Sequence, residues 1–471
     1  MAPSRENTEA RPGWLVGLIA LAGGLAAPMS MPVSGPTAAT AAVAAPHPDP
    51  LGEILARRLA TPAADPDLAA FYAGRGQRPL WSEHGRLDPA AGQLIARLQD
   101  AAADGLDERA YQPQKLQALA RRAASGRPAD LARAELALST ALADWGADLH
   151  RPRPAADLLY SDPQLRPPAL SRGQVLRAVA DAPSLSAGLA EVGRMNPIYR
   201  RLRAALAETR DGPDAVLIRA NLDRARALPT DLGRRHILVD IAAQRLSAYE
   251  DGQELFSMKV VVGKPAEPTP TMAALVRYAV FRPYWNVPPD LLAKSMAPKV
   301  ATQGMTYFRR QRLEALSDWS DQPRRLNPAK VDWRAVAAGR QTLRVRQLPG
   351  RDNMMGQVKF MFPNELGVYL HDSPLRALFA GQERLASAGC VRLEDAPRLA
   401  RWLLGDAVAA EARRPGPPET RADLAEPVPV YLVYFTADPT TERLSKRRDV
   451  YHRDPALIAQ LEAASTRLAS R

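Results

Sequence analysis

The chain has 471 residues and a formal net charge of +12, enough material for two or three domains with an ample core. One cysteine among them excludes an intramolecular disulfide framework, and 43 prolines exclude one long helical bundle. The Lys and Arg residues lie scattered, with no compact basic block interleaved with aromatics. Composition therefore argues against nucleic acid and leaves a membrane surface or an acidic polymer as the anionic partner.

At the amino terminus Arg5 and Arg11 precede an apolar run from Trp14 to Met31 and a small-residue exit containing Ala42-Val43-Ala44. This is the form of a cleaved export signal, so residues 1–45 read as signal peptide and linker. Left uncleaved, the run would be a membrane anchor, but Gly23, Gly24 and Pro28 weaken a span. Either way the remainder leaves the cytoplasm. In a compartment where cysteines usually enter disulfides, an unpaired one reads as reactive.

Residues 46–215 are Ala- and Arg-rich and read as a helical domain. Asp88-Pro89 starts one helix with Leu94, Ile95 and Leu98 on a single face. A second runs from Leu131 through Leu138, Leu142, Trp145 and Leu149 until Arg151-Pro-Arg-Pro154 breaks it. From about His236 the texture becomes mainly β, with strands expected at His236–Asp240, Gln244–Tyr249, Glu254–Val262, Leu275–Phe281, Val358–Phe362, Val368–Leu370 and Val430–Thr436. Residues 216–440 are assigned to this part. Within it 290–342 reads as a polar, Arg-rich, partly helical insertion, and residues 441–471 form a tail ending in a helix. The expected fold class is α+β multidomain.

The chemistry converges on Cys390, which lies 390 − 371 = 19 residues after His371. A thiol at its ordinary pKa is mostly protonated at pH 7; a partnered imidazole can take its proton and pass it to a leaving amine. Asp372, through its side chain or its backbone carbonyl, could orient that ring. Gly389 suits a sharp turn exposing the thiol, and the amides of Gly389 and Cys390 could hold an oxyanion. Arg392 could fork onto a substrate carboxylate. Against this stands the inert alternative, since a lone cysteine is often just a small buried hydrophobe.

The run Val368-Tyr-Leu-His371-Asp-Ser-Pro … Arg384 … Ser387-Ala-Gly-Cys390-Val-Arg392 resembles the catalytic motif of the L,D-transpeptidases, whose catalytic domain is of the YkuD type. More narrowly it is similar to their large scaffold-bearing subgroup. Phe71-Tyr72, Pro79-Leu80-Trp81, Asn221-Leu-Asp-Arg224, Val262-Gly-Lys264, Tyr284-Trp-Asn-Val-Pro-Pro289, Val358-Lys-Phe360 and Tyr434-Phe-Thr-Ala437 match further pieces in order. The resemblance implies a peptidoglycan enzyme in the periplasm, with a helical scaffold domain and a mainly β catalytic domain carrying 290–342 as a lid. It implies Cys390 as nucleophile, His371 as general base and acid, Asp372 as orienter and Gly389 with Cys390 as oxyanion amides. Trp285, Tyr369, Ser387 and Arg392 would contact substrate. The partners implied are stem peptides, a tetrapeptide donor and a diaminopimelate acceptor, with peptidoglycan synthases as candidate companions and 3→3 crosslinks as product. Acylation by carbapenems is a further family trait.

Two departures stand out. Ala388 replaces the polar residue that many members carry before Gly-Cys. Only about 14 residues separate Tyr199–Leu206 from Asn221–Arg224, too few for the subgroup's peptidoglycan-binding module. A carboxypeptidase, a lipoprotein-attaching variant or a catalytically silent cell-wall scaffold remain the alternatives. No cofactor is expected, and no metal, because the six histidines are dispersed.

Overall fold

The computed structural model describes residues 49–209, 212–411, 414–438 and 444–469. The expected export signal at 1–45 lies outside the described residues. Among those described, no helix is long and apolar enough to cross a membrane.

The amino-terminal part is helical, built around the 22-residue helix Pro128–Leu149, which buries Leu131, Leu138, Leu142, Trp145 and Leu149. Asp65 caps the helix Pro66–Gly74 by accepting from the Asp67 and Leu68 amides, with Pro66 at the first turn. Glu135 points into this core, where it accepts hydrogen bonds from the Tyr72 hydroxyl at 2.8 Å and the Trp81 amide at 3.0 Å. The Phe71-Tyr72 and Pro79-Leu-Trp81 pieces are thus joined through one buried carboxylate. The helix Ala215–Arg226 adds Ala215, Ile218, Leu222 and Ala225 to the same core, which continues onto Ala273, Tyr431 and Val433 of the following sheet and onto Phe435 just beyond it.

That sheet closes on itself. Its strands are β1 (Arg235–Asp240), β2 (Arg245–Glu250), β3 (Gln253–Gly263), β4 (Met272–Phe281), β5 (Val358–Met361), β6 (Leu370–His371), β7 (Val391–Leu393) and β8 (Thr420–Val433). They hydrogen-bond in the order β5-β6-β7-β3-β2-β1-β8-β4, and β4 pairs back onto β5. A closed ring leaves these strands no free edge. Inward-facing Ile237, Val239, Leu246, Val260, Val276, Phe360, Leu370 and Val391 fill it, each apolar side chain contributing roughly 1.5–3 kcal/mol on burial.

Between β4 and β5 an excursion forms its own small unit. Trp285–Asn286, Arg344–Gln347 and Leu313–Leu316 make a three-stranded antiparallel sheet. The helix Ala297–Arg310 packs on it around Val287, Leu292, Val300, Phe308, Trp333 and Val345. The insertion expected at 290–342 lies within a larger excursion, 285–347, that has a sheet and a core of its own; of its three strands only Leu313–Leu316 falls inside 290–342. The carboxy-terminal helix Asp454–Ala469 returns to the helix Ala215–Arg226, with an Arg224–Asp454 ion pair at 2.7 Å.

Candidate active site

Three short strands align the candidate residues. In β5–β6 pairing Lys359 faces His371 and Phe360 faces Leu370. In β6–β7 pairing, which is parallel, His371 faces Arg392 and Leu370 faces Val391. Because successive side chains point to opposite faces, Phe360, Leu370 and Val391 form an apolar row inside the ring. Lys359, His371 and Arg392 form a second row on the other face. Tyr369 and Cys390 extend that second face by one step, joined by the Val391 amide donating to the Tyr369 carbonyl at 3.1 Å. Cys390 and His371 are thus diagonal neighbours on one face, the relation in which side chains of adjacent strands still meet.

His371 is 2% exposed, and its Nδ1 lies 2.6 Å from the Asp372 main-chain carbonyl. That contact selects the tautomer with the proton on Nδ1 and leaves Nε2 as the basic nitrogen. Burial, followed by the adjacent Arg392 and Lys359 charges, lowers the His371 pKa to about 3. The ring therefore rests neutral. The Asp372 carboxylate turns elsewhere, accepting from the Gln357 amide at 2.9 Å and from Arg376 at 2.9 Å. Of the two acceptors considered for Asp372, the backbone carbonyl is the one that holds the ring.

Cys390 is half-buried, and its Sγ lies 3.8 Å from the Gly367 carbonyl. Burial pushes the thiol pKa up, against the lowering effects of hydrogen bonds from Tyr369 and of the Arg392 charge. The thiol also rests neutral. Gly367 is placed by the Asn364 side chain, which accepts from the Val368 amide at 3.1 Å and donates to the Val368 carbonyl at 2.7 Å.

The turn before Cys390 requires glycine, since Gly389 has φ +110°. Thr269 Oγ1 donates to the Gly389 carbonyl at 2.8 Å. The Gly389 amide donates to Ser387 Oγ at 3.2 Å, and Ser387 Oγ donates to the Cys390 carbonyl at 2.6 Å. Ser387, expected at the substrate, is 3% exposed and commits its hydroxyl to bracing this turn. Of the two amides expected to face an oxyanion, Gly389 is engaged, while among the described residues no hydrogen bond uses the Cys390 N–H.

Arg392 lies beside the thiol with its Nε buried and unpartnered. The Tyr369 ring meets His371 edge-on at 5.8 Å. Trp285 packs against the core of the excursion, on the strand that pairs with Arg344–Gln347. Lys359 was not singled out from the sequence. Alternation within Val358-Lys-Phe-Met361 marks it as an outward-facing strand residue, but its neighbours come from pairing the sequence does not display.

Residues 234–430 match the family model described as the L,D-transpeptidase catalytic domain, and residues 66–206 match the scaffold domain. The chain carries an L,D-transpeptidase catalytic domain preceded by a scaffold domain. A protein of Haemophilus influenzae named "Putative L,D-transpeptidase" is 27% identical over 400 residues, covering 83% of this chain and 78% of that one. Among solved structures, an L,D-transpeptidase from Mycobacterium smegmatis matches 42% of this chain and 58% of its own at 14% identity, with a TM-score of 0.21. L,D-transpeptidase 1 of Mycobacterium tuberculosis matches 44% of this chain and 63% of its own at 16% identity, with a TM-score of 0.19. The chain thus spans under two thirds of these solved chains. In the L,D-transpeptidase domain of this protein, the His371, Cys390 and Arg392 side chains share the outer face of β6–β7 and its approach.

Proposed function

We propose that the protein is a periplasmic peptidoglycan L,D-transpeptidase that joins stem peptides through a Cys390 thioester. The observation that carries this reading is the arrangement of Cys390 diagonal to a neutral, carbonyl-oriented His371 inside a matched catalytic domain. In the first half-reaction Sγ attacks the carbonyl of the third stem residue of a tetrapeptide donor. The thiol proton moves to His371 Nε2, the C–S bond forms, and the oxyanion develops near the free Cys390 N–H. The tetrahedral intermediate collapses with cleavage of the C–N bond, and His371 returns the proton to the departing D-alanine amine. An imidazolium between Lys359 and Arg392 is disfavoured, so the proton passes quickly onward.

In the second half-reaction the side-chain amine of a diaminopimelate on a neighbouring stem attacks the thioester; the C–N bond forms, the C–S bond breaks, and the amine's proton passes through His371 Nε2 to Sγ, restoring the thiol. The product is a 3→3 crosslink. The donor's peptide bond energy is retained in the thioester, so no nucleotide is needed. Tyr369, Trp285 and Arg392 are assigned to donor binding, the last through a stem carboxylate. Asp372 acts on His371 through its main-chain carbonyl.

Incubating purified protein with tetrapeptide muropeptides and analysing the products by mass spectrometry tests the reading. Dimers with 3→3 linkage that vanish in Cys390→Ala are expected. Tripeptide alone would assign a carboxypeptidase; unchanged substrate together with no carbapenem adduct on Cys390 would assign a silent scaffold.

A further inference from the structure

A cavity of about 300 Å³ lies away from the nucleophile, where the barrel meets the helix Ala215–Arg226 and the chain leading into the carboxy-terminal helix. Ala156, Leu158, Thr271 and Tyr434 line it together with Arg224 and Arg453. The Arg224 side chain is only 7% exposed, yet its Nη2 has no hydrogen-bond partner, and neither has Arg453 Nη1. Both guanidinium carbons sit over the same aromatic ring, at 5.2 and 5.1 Å from the Tyr434 centroid. Two cations gathered on one ring, each with a buried N–H unsatisfied, form an arrangement that an anion would complete.

The surrounding acids do not already fill that role. Asp454 accepts from Arg224 Nη1 at 2.7 Å. Asp449 lies behind Tyr434, accepting from its hydroxyl at 2.6 Å and from the Arg453 and Asp454 amides. Asp157 is an exposed residue of the lining whose carboxylate accepts from the Leu158 amide at 2.8 Å. None reaches Arg224 Nη2 or Arg453 Nη1.

We propose that this cavity is a binding site for a small monoanionic carboxylate, held by Arg224 Nη2 and Arg453 Nη1. Guanidinium N–H groups suit a planar two-oxygen acceptor. Three nearby carboxylates repel a dianion more than a monoanion, which selects carboxylate over phosphate. The volume holds about ten waters' worth of matter, room for the carboxylate end of a small molecule. The site is independent of the catalytic reading. It is also connected to the catalytic turn, because Arg453 Nη2 donates to the Thr269 carbonyl at 3.3 Å and Thr269 Oγ1 donates to the Gly389 carbonyl.

The test titrates ¹³C-acetate into the full chain carrying Cys390→Ala, following line broadening by NMR, with inorganic phosphate as the competing probe. Saturable acetate binding is expected, weakened about tenfold or more by Arg453→Gln, as for loss of a charged hydrogen bond. Ala456→Phe, placed on the exposed lip of the cavity, should weaken it similarly without altering a charge. This second variant serves if Arg453→Gln fails to fold. Absence of saturable binding, equal binding in both variants, or phosphate binding more tightly than acetate would each overturn the proposal.

Discussion

Gly356 makes room for the Asp372 carboxylate: at φ +61° its backbone turns so that an added methyl group would overlap Asp372 Cγ and Oδ2. The glycine is itself held by its amide, which donates to the Asn353 carbonyl at 2.8 Å. Since the Asp372 carbonyl orients His371, displacing Asp372 should tilt the imidazole. Gly356→Ala is therefore expected to slow carbapenem acylation of Cys390 about tenfold or more. Strain at positive φ, about 1 kcal/mol, adds to the clash and should lower the melting temperature. Stopped-flow acylation and a thermal melt read the two effects separately. An unchanged rate would mean that the ring is not oriented from this side.

Asp372 and His371 should respond very differently to substitution. Asp372→Asn keeps the main-chain carbonyl that meets Nδ1 and an oxygen for the Gln357 amide. What it loses is the bond to Arg376, a side chain 55% exposed, and exposed ion pairs contribute at most about 1 kcal/mol. Its rate should fall less than about tenfold. His371→Ala removes the proposed proton acceptor and should cost about 10²–10⁴-fold. Mass-spectrometric acylation kinetics of both variants compare them directly; equal losses would assign the orienting role to the carboxylate.

Much of this was legible in the chain, and the rest was hidden for physical reasons. The strand expected at His236–Asp240 is found at Arg235–Asp240, because a short apolar run with β-branched Ile237 and Val239 marks a buried strand from local sequence alone. The strand expected at Val368–Leu370 pairs instead at Leu370–His371. Asn364 captures Val368 in a side-chain-closed loop and delays the ladder by two residues. Val391–Leu393 is three residues long, too short for a periodic signal, although it carries the partner of His371. Closure of the ring rests on β4 pairing with both β8 and β5, contacts between residues far apart in sequence. The excursion's strands are two to four residues long, with Arg344 and Arg346 on one of them, so shortness and charge masked their β character.

Burial makes Cys390 a neutral thiol at rest, raising its pKa above the ordinary value of 9.0 against the opposing pull of Tyr369 hydrogen bonds and the Arg392 charge. Iodoacetamide, which needs the thiolate and no general base, should react slowly at pH 7. Its rate should rise with a midpoint above pH 9. With a single thiol in the chain, the measured rate belongs to Cys390 alone. A midpoint near 6 would instead indicate a preformed thiolate–imidazolium pair.

His371 also links stability to acid. Its folded pKa of about 3 lies below the unfolded value of 6.5, so below pH 6.5 the unfolded chain binds a proton that the native ring refuses. The neutral ring's contribution to stability is complete above pH 6.5 and is lost progressively as pH falls toward 3, by about 1.4 kcal/mol per pH unit. Denaturant unfolding of the wild type and His371→Gln between pH 7 and 5 should therefore give a stability difference that shifts in favour of the variant as pH falls. Comparing the pair cancels His150 and His236, whose pKa values burial also lowers. A pH-independent difference would mean that the native ring takes up its proton over the same pH range as the unfolded chain.

The excursion's geometry allows it to be removed without cutting the barrel. Asn286 pairs with Arg346 and Trp285 with Gln347 in antiparallel register, so the two ends of the excursion already lie side by side. Replacing residues 287–345 by Asn-Gly, a two-residue turn suited to closing such a ladder, should leave β4 and β5 in place. Because the excursion has its own core around Val287, Phe308 and Val345, the ring's apolar interior stays intact. The shortened protein is expected to melt cooperatively near the wild-type temperature while its KM for a tetrapeptide donor rises about tenfold or more, since Trp285, proposed as a donor contact, loses the core it packs against. Collapse of the thermal transition would show that barrel and excursion fold as one unit; an unchanged KM would remove this segment from donor binding.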